Sequence, residues 1–133
     1  MPPDQLLSTH AAAAVLYREA VVLLAGGRVE DARQFLRAAL LVDDRFAIAH
    51  AALAITQWEL GDEPWAESIA CALGQRRISR RERQHVAVVA LVLEGQIERA
   101  SALGCEHLQE FPTDHAVAYV LARSGSGREH VAR

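Results

Sequence analysis

Residues 95–100 read Gly-Gln-Ile-Glu-Arg-Ala (GQIERA), and the same end residues recur in GRVEDA at 27–32 and GDEPWA at 61–66. Gly27, Gly61 and Gly95 are spaced 34 residues apart, and so are Ala32, Ala66 and Ala100. Two residue types that share one period and one phase mark an internal repeat. A helix that must reverse within a few residues commonly leaves through a left-handed residue, a conformation glycine adopts without steric cost. Each glycine is therefore expected to end a helix. Each alanine falls on the first turns of the returning helix, where a small side chain lets two helices approach closely. The pattern predicts three helix-turn-helix units.

Composition agrees with that reading. A chain of 133 residues with 51% hydrophobic and 23% charged residues fits one globular domain with a modest core. Aromatics are only 5% and no alternating β-branched run is bounded by turn residues, so the fold class expected is all-α. The formal charge of −3 gives no overall electrostatic reason to seek nucleic acid or an acidic membrane. The longest apolar runs, residues 11–16 and 86–93, are too short to span a bilayer, and MPPDQLLSTH lacks the basic start of a signal peptide. A cytoplasmic protein is expected.

Caps and breakers place the elements. A first helix is expected from Thr9 to Ala25 and its return from Val29 to Leu41, and Asp43 or Asp44 can cap the next, which extends to Leu60. Asp62 is expected to cap the fourth helix, with Pro64 tolerated in its first turn. Ser79 and Glu82 have the spacing of a capping box for the fifth, which Gly95 ends. The sixth runs from Ile97 to Glu110 and stops before Pro112; Thr113 is then placed to cap a seventh helix through Arg123. The domain thus spans 1–123, with repeats at 9–43, 44–78 and 79–113, a capping helix at 114–123 and a mobile tail at 124–133.

From about residue 12 to 122 the chain resembles the tetratricopeptide repeat family, on the strength of Gly27, Gly61 and Gly95, Ala32, Ala66 and Ala100, the Leu36 and Ala39 pair, and Pro112 at the usual terminal proline. Within it, SRRERQHV at 79–86 and FPTDHAVA at 111–118, flanking GQIERA, are similar to the amino-terminal part of the tetratricopeptide repeat protein 38 group. The resemblance implies a right-handed α-solenoid of three repeats plus a seventh helix, acting as a protein-interaction scaffold. Asp44 and Ile78 depart from the repeat's terminal proline, and Glu19 and Gln57 fall at positions the family usually makes apolar. Members of the group are also much longer than this chain.

Function in a solenoid lies on its surfaces. By this register the first helices line a concave groove with Tyr17, Val21 and Leu24, then Ile48, Ile55 and Trp58, then Glu82, His85, Val89 and Val92. Within each helix these residues share a face. The small members also suit packing between neighbouring helices, whereas Tyr17, Trp58 and His85 suit an interface. The groove is expected to hold a protein or peptide segment, or a second copy of this chain, by apolar contact. The basic clamp for a peptide's terminal carboxylate, which the family often carries, has no counterpart at Tyr17, Val21, Ala52 and Glu82. A small-molecule pocket or enzyme site around Trp58 and His85 is the second reading, with Glu82 as a further polar group.

Other motifs carry less. Arg76, Arg77, Arg80, Arg81 and Arg83 form the strongest charge cluster, but with no aromatic interleaving they read as a solvated loop before they read as a nucleic-acid contact. Glu82-x-x-His85 has the spacing of half a di-iron site, yet no second copy exists. His50, His107 and His115 lie in different elements and read as isolated core histidines, so no metal and no cofactor is expected. Cys71 and Cys105, 34 apart, read as small buried residues too distant to be bridged. No catalytic constellation is recognisable.

Overall fold

Gly27, Gly61 and Gly95 adopt φ of 83°, 71° and 83° in a computed structural model that describes the backbone of residues 9–62 and 64–132, with side chains as far as 124. The three turns close alike. The N–H following each glycine bonds the carbonyl five residues back, Arg28 to Leu23 at 2.9 Å, Asp62 to Gln57 at 2.8 Å and Gln96 to Leu91 at 2.8 Å. That bond satisfies a terminal carbonyl which the helix itself leaves without a partner.

The described residues form seven helices and no strand: α1 (Ala11–Ala25), α2 (Val29–Val42), α3 (Ala47–Leu60), α4 (Trp65–Leu73), α5 (Arg80–Leu93), α6 (Ile97–Glu110) and α7 (His115–Ala132). The chain is all-α. The helices pack as pairs α1–α2, α3–α4 and α5–α6, and the pairs join through α2–α3, α3–α5 and α4–α5. Helix α3 is the centre of the core, with Ala47, Ala51, Ala54 and Ile55 all fully buried. Its alanines let neighbouring backbones come close, so much of this core is made by approach of helices rather than by large side chains.

One pair is out of register. Helices α2 and α6 begin two periods apart, at Val29 and Ile97, and bury matching positions: Ala32, Leu36 and Ala39 in one, Ala100, Gly104 and His107 in the other. Helix α4 begins only at Trp65, and buries Ser68, Ile69 and Ala72. Pro64 sits before the helix as its N-cap with no side-chain bond, so the helix starts late and its inward face rotates. Ala66 is consequently exposed, against the expectation of a close crossing there. Ser68 takes the inward place, and its hydroxyl donates to Gln57 Oε1 across a buried 2.8 Å, which accounts for a polar residue at that position of α3.

Some expected caps differ too. The Ser79–Glu82 capping box forms as read, the Glu82 N–H donating to Ser79 Oγ and the Ser79 N–H to Glu82 Oε1. Asp62 instead pairs with Arg33, and Asp43 accepts from the Thr9 hydroxyl and the Arg45 N–H, so neither caps a helix. At α7 the capping side chain is Asp114 rather than Thr113: its Oδ1 accepts from the Val117 N–H at 3.4 Å.

Helix α7 covers α5 and α6 with buried Val117 and Val120 and also touches α1. Leu121 fills the space over Gly104, where an added Cβ would lie 2.4 Å from Leu121 Cδ1. Arg123 donates to Glu59 at 2.8 Å, tying α7 to α3. The expected end at Arg123 is passed: Ser124 is buried, its hydroxyl bonds Leu121 O, and the helix continues to Ala132. None of the helices among the described residues is long and apolar enough to cross a membrane.

Candidate functional site

A cleft lies where α7 meets α1. Its walls are Tyr17, Val21 and Val22 of α1, Ile48 of α3, Arg81 of α5 and Thr113 to Ala116 at the start of α7, around a volume of about 370 Å³. The lining is mainly apolar, with Arg18, Arg81 and Asp114 as its charged members. Tyr17 is 6% exposed, its ring tilted against Phe46 with centroids 5.4 Å apart. Burial, reinforced by the negative charge of Asp114, pushes the Tyr17 hydroxyl well above the usual phenol range, so it remains a neutral hydrogen-bonding group. At the lip Val22 is 67% exposed, and Val15, one heptad earlier on the same face of α1, is exposed as well.

Behind the cleft lies a buried polar cluster. Asp114 Oδ2 is 2.8 Å from His85 Nδ1 and 2.7 Å from His107 Nε2. His107 Nδ1 lies 3.0 Å from Gln84 Oε1, and His85 Nε2 is buried without a hydrogen-bond partner. The two rings meet edge-on, and His107 also packs against Phe111, which in turn has the guanidinium groups of Arg80 and Arg81 5.7 and 5.6 Å from its centroid. Burial opposes ionisation of Asp114, but the charge of His85 and the hydrogen bonds from both histidines outweigh it, holding the carboxyl far below the usual carboxylate range.

The groove residues expected from the sequence divide. Tyr17, Val21 and Ile48 line the cleft. Leu24, Ile55, Trp58, Glu82, His85, Val89 and Val92 are buried and do not line that cleft. Around them α3 packs against α5, and α5 against α7. The cleft lies around Tyr17 and Ile48, and neither Trp58 nor His85 lines it. Cys71 and Cys105 are free and exposed, on the outer side of the second helices, where burial was expected. Within the arginine cluster Arg80 pairs with Glu110.

Sequence reasoning took His107 as a lone core histidine and missed Asp114. A signal was present. His107 occupies the register of Ala39, a fully buried position, and an imidazole there requires a polar partner. Asp114, three residues before Val117 in a helix-start pattern, is the acid that supplies it.

In comparisons with protein-family models, with curated proteins and with solved structures, none matches this chain.

Proposed function

We propose that this chain is a helical-repeat interaction module of the tetratricopeptide type, similar to the opening part of the tetratricopeptide repeat protein 38 group, with its helix pairs stacked as a right-handed solenoid and working in the cytoplasm. Its cleft takes a segment of a partner protein that offers one large apolar side chain. The observation that carries this reading is the cleft itself, with its mainly apolar walls. The apolar floor supplies burial energy of about 25 cal/mol per Å² covered. Binding of this kind needs no catalytic group. Nucleic-acid contact fits less well, because Arg80 and Arg81 stack on Phe111 and Arg80 is paired with Glu110.

A displayed random-peptide library panned on the full chain tests the reading. Selected peptides should share a large apolar residue, and Val22→Asp should weaken them about tenfold, the effect of losing roughly 1.4 kcal/mol. Val22 is exposed, so that substitution leaves the core intact. Failure to select any peptide, or selection of peptides that bind Val22→Asp equally well, overturns it. The volume also lies within the range of small-molecule sites, about 300–1,000 Å³. A metabolite that raises Tm in the wild type but not in Val22→Asp, with no peptide selected, identifies the occupant as a small ligand.

A further inference from the structure

Three side chains from three elements converge behind the cleft: His85 of α5, His107 of α6 and Asp114 at the start of α7. Their burial is nearly complete, with 1%, 0% and 3% of each residue exposed. One nitrogen of each ring and one carboxylate oxygen all lie within 4.8 Å of one another.

Donor and acceptor roles make this arrangement unusual. The Gln84 amide lies 3.0 Å from His107 Nδ1 and orients that ring, so its Nε2 faces Asp114 Oδ2 at 2.7 Å. A contact so short between these two atoms holds either a proton or a metal ion. The same oxygen lies 2.8 Å from His85 Nδ1. His85 Nε2 has no hydrogen-bond partner, so the ring's one polar contact is that of Nδ1 with Asp114, and metal binding would exchange an Nδ1–H donated to the carboxylate for a lone pair given to the ion.

We infer that His85 Nδ1, His107 Nε2 and Asp114 Oδ2 form a three-ligand site for a divalent first-row metal, with zinc the natural occupant of a two-imidazole, one-carboxylate donor set. Ligand bonds of about 2.0–2.2 Å in a tetrahedral shell set neighbouring donor atoms about 3.3 Å apart, so the observed contacts need to open by roughly half an ångström. Gln84 supplies the outer support such sites depend on, orienting His107 through its second nitrogen. Asp114 also lines the cleft, which gives the ion a route from solvent. The assignment stands apart from the peptide reading, since it requires no occupant in the cleft.

The experiment uses the untagged full chain, treated with a chelator and then titrated with Co²⁺ or Zn²⁺. One equivalent of Co²⁺ should develop the visible absorption of four-coordinate cobalt, Zn²⁺ should abolish it, and Tm should rise with free Zn²⁺. Gln84 is only half-buried and so tolerates change: Gln84→Leu should weaken zinc binding about 10- to 100-fold, while Gln84→Glu, which keeps the acceptor, should retain it. Asp114→Asn should lose the cobalt spectrum. His50→Ala, at a histidine outside the cluster and the cleft, should bind as the wild type does. The competing arrangement places a proton where the ion would lie. It predicts that Tm stays constant as Zn²⁺ is added and that cobalt keeps its six-coordinate aqueous spectrum, and either result overturns the assignment. So does one-equivalent binding that survives Asp114→Asn.

Discussion

Gly26 and Gly27 are neighbours in one turn, yet alanine should act in opposite directions at the two sites. Gly27 has φ of 83°, in the left-handed region, and a Cβ there would have nothing within 4 Å. Strain in the new residue's own backbone is thus the whole folded-state cost, about 1–2 kcal/mol. Loss of glycine's freedom in the unfolded chain returns about 0.4–1 kcal/mol, leaving a net destabilisation near 1 kcal/mol. Gly26 has φ of −84°, and its Cβ would meet only the Val22 and Leu23 carbonyls at 3.5 and 3.6 Å, ordinary contact distances. Gly26→Ala should therefore be neutral or stabilise by a few tenths of a kcal/mol. In a domain of this size Gly27→Ala should lower Tm by about 3–6 °C relative to Gly26→Ala. Gly61→Ala and Gly95→Ala should match Gly27→Ala, because they share its φ sign and also have no atom near the new Cβ. Asparagine, which tolerates the left-handed region better, should cost less than alanine at all three sites. Urea and thermal unfolding followed by circular dichroism supply the comparison. Equal stability of Gly26→Ala and Gly27→Ala would refute the assignment of the 34-residue period to left-handed turns.

Two further outcomes follow from single contacts. Ser68→Ala strands the buried Gln57 Oε1 and should cost about 1–3 kcal/mol, whereas adding Gln57→Leu should recover much of the loss; a double-mutant cycle in urea checks whether the two effects couple. Burial acts to raise the Asp43 carboxyl, but the Thr9 hydroxyl and the Arg45 N–H outweigh it and hold the group below its usual value. A carboxyl depressed in the folded state stabilises above its unfolded pKa of about 3.9 and loses that contribution as pH falls through the folded value. The Tm advantage of wild type over Asp43→Asn should therefore be present at pH 6 and disappear toward pH 3, and an advantage that persists into acid would contradict the assigned partners.

The turns and the capping box were legible in the sequence because each is settled within six residues. Gly27, Gly61 and Gly95 are needed by local backbone sterics, and Ser79 with Glu82 satisfies helix N–H groups next to them. The all-helical class followed from the same local preferences summed along the chain. The functional site was only partly legible. Tyr17, Val21 and Ile48 were found by helical periodicity, but periodicity finds an inward face without saying whether another helix covers it, and Trp58, His85 and Val89 lie buried outside the cleft.

Only the tertiary structure placed His85, His107 and Asp114 together, since their contacts join three elements and depend on how far α7 leans across α5 toward α1. It likewise decided the rotated face of α4, where the delayed start at Trp65 exchanged Ala66 for Ser68. Spacing in the sequence fixes angles around a helix relative to its own start. Where the helix starts, and what then closes over it, depends on packing between segments far apart in the chain.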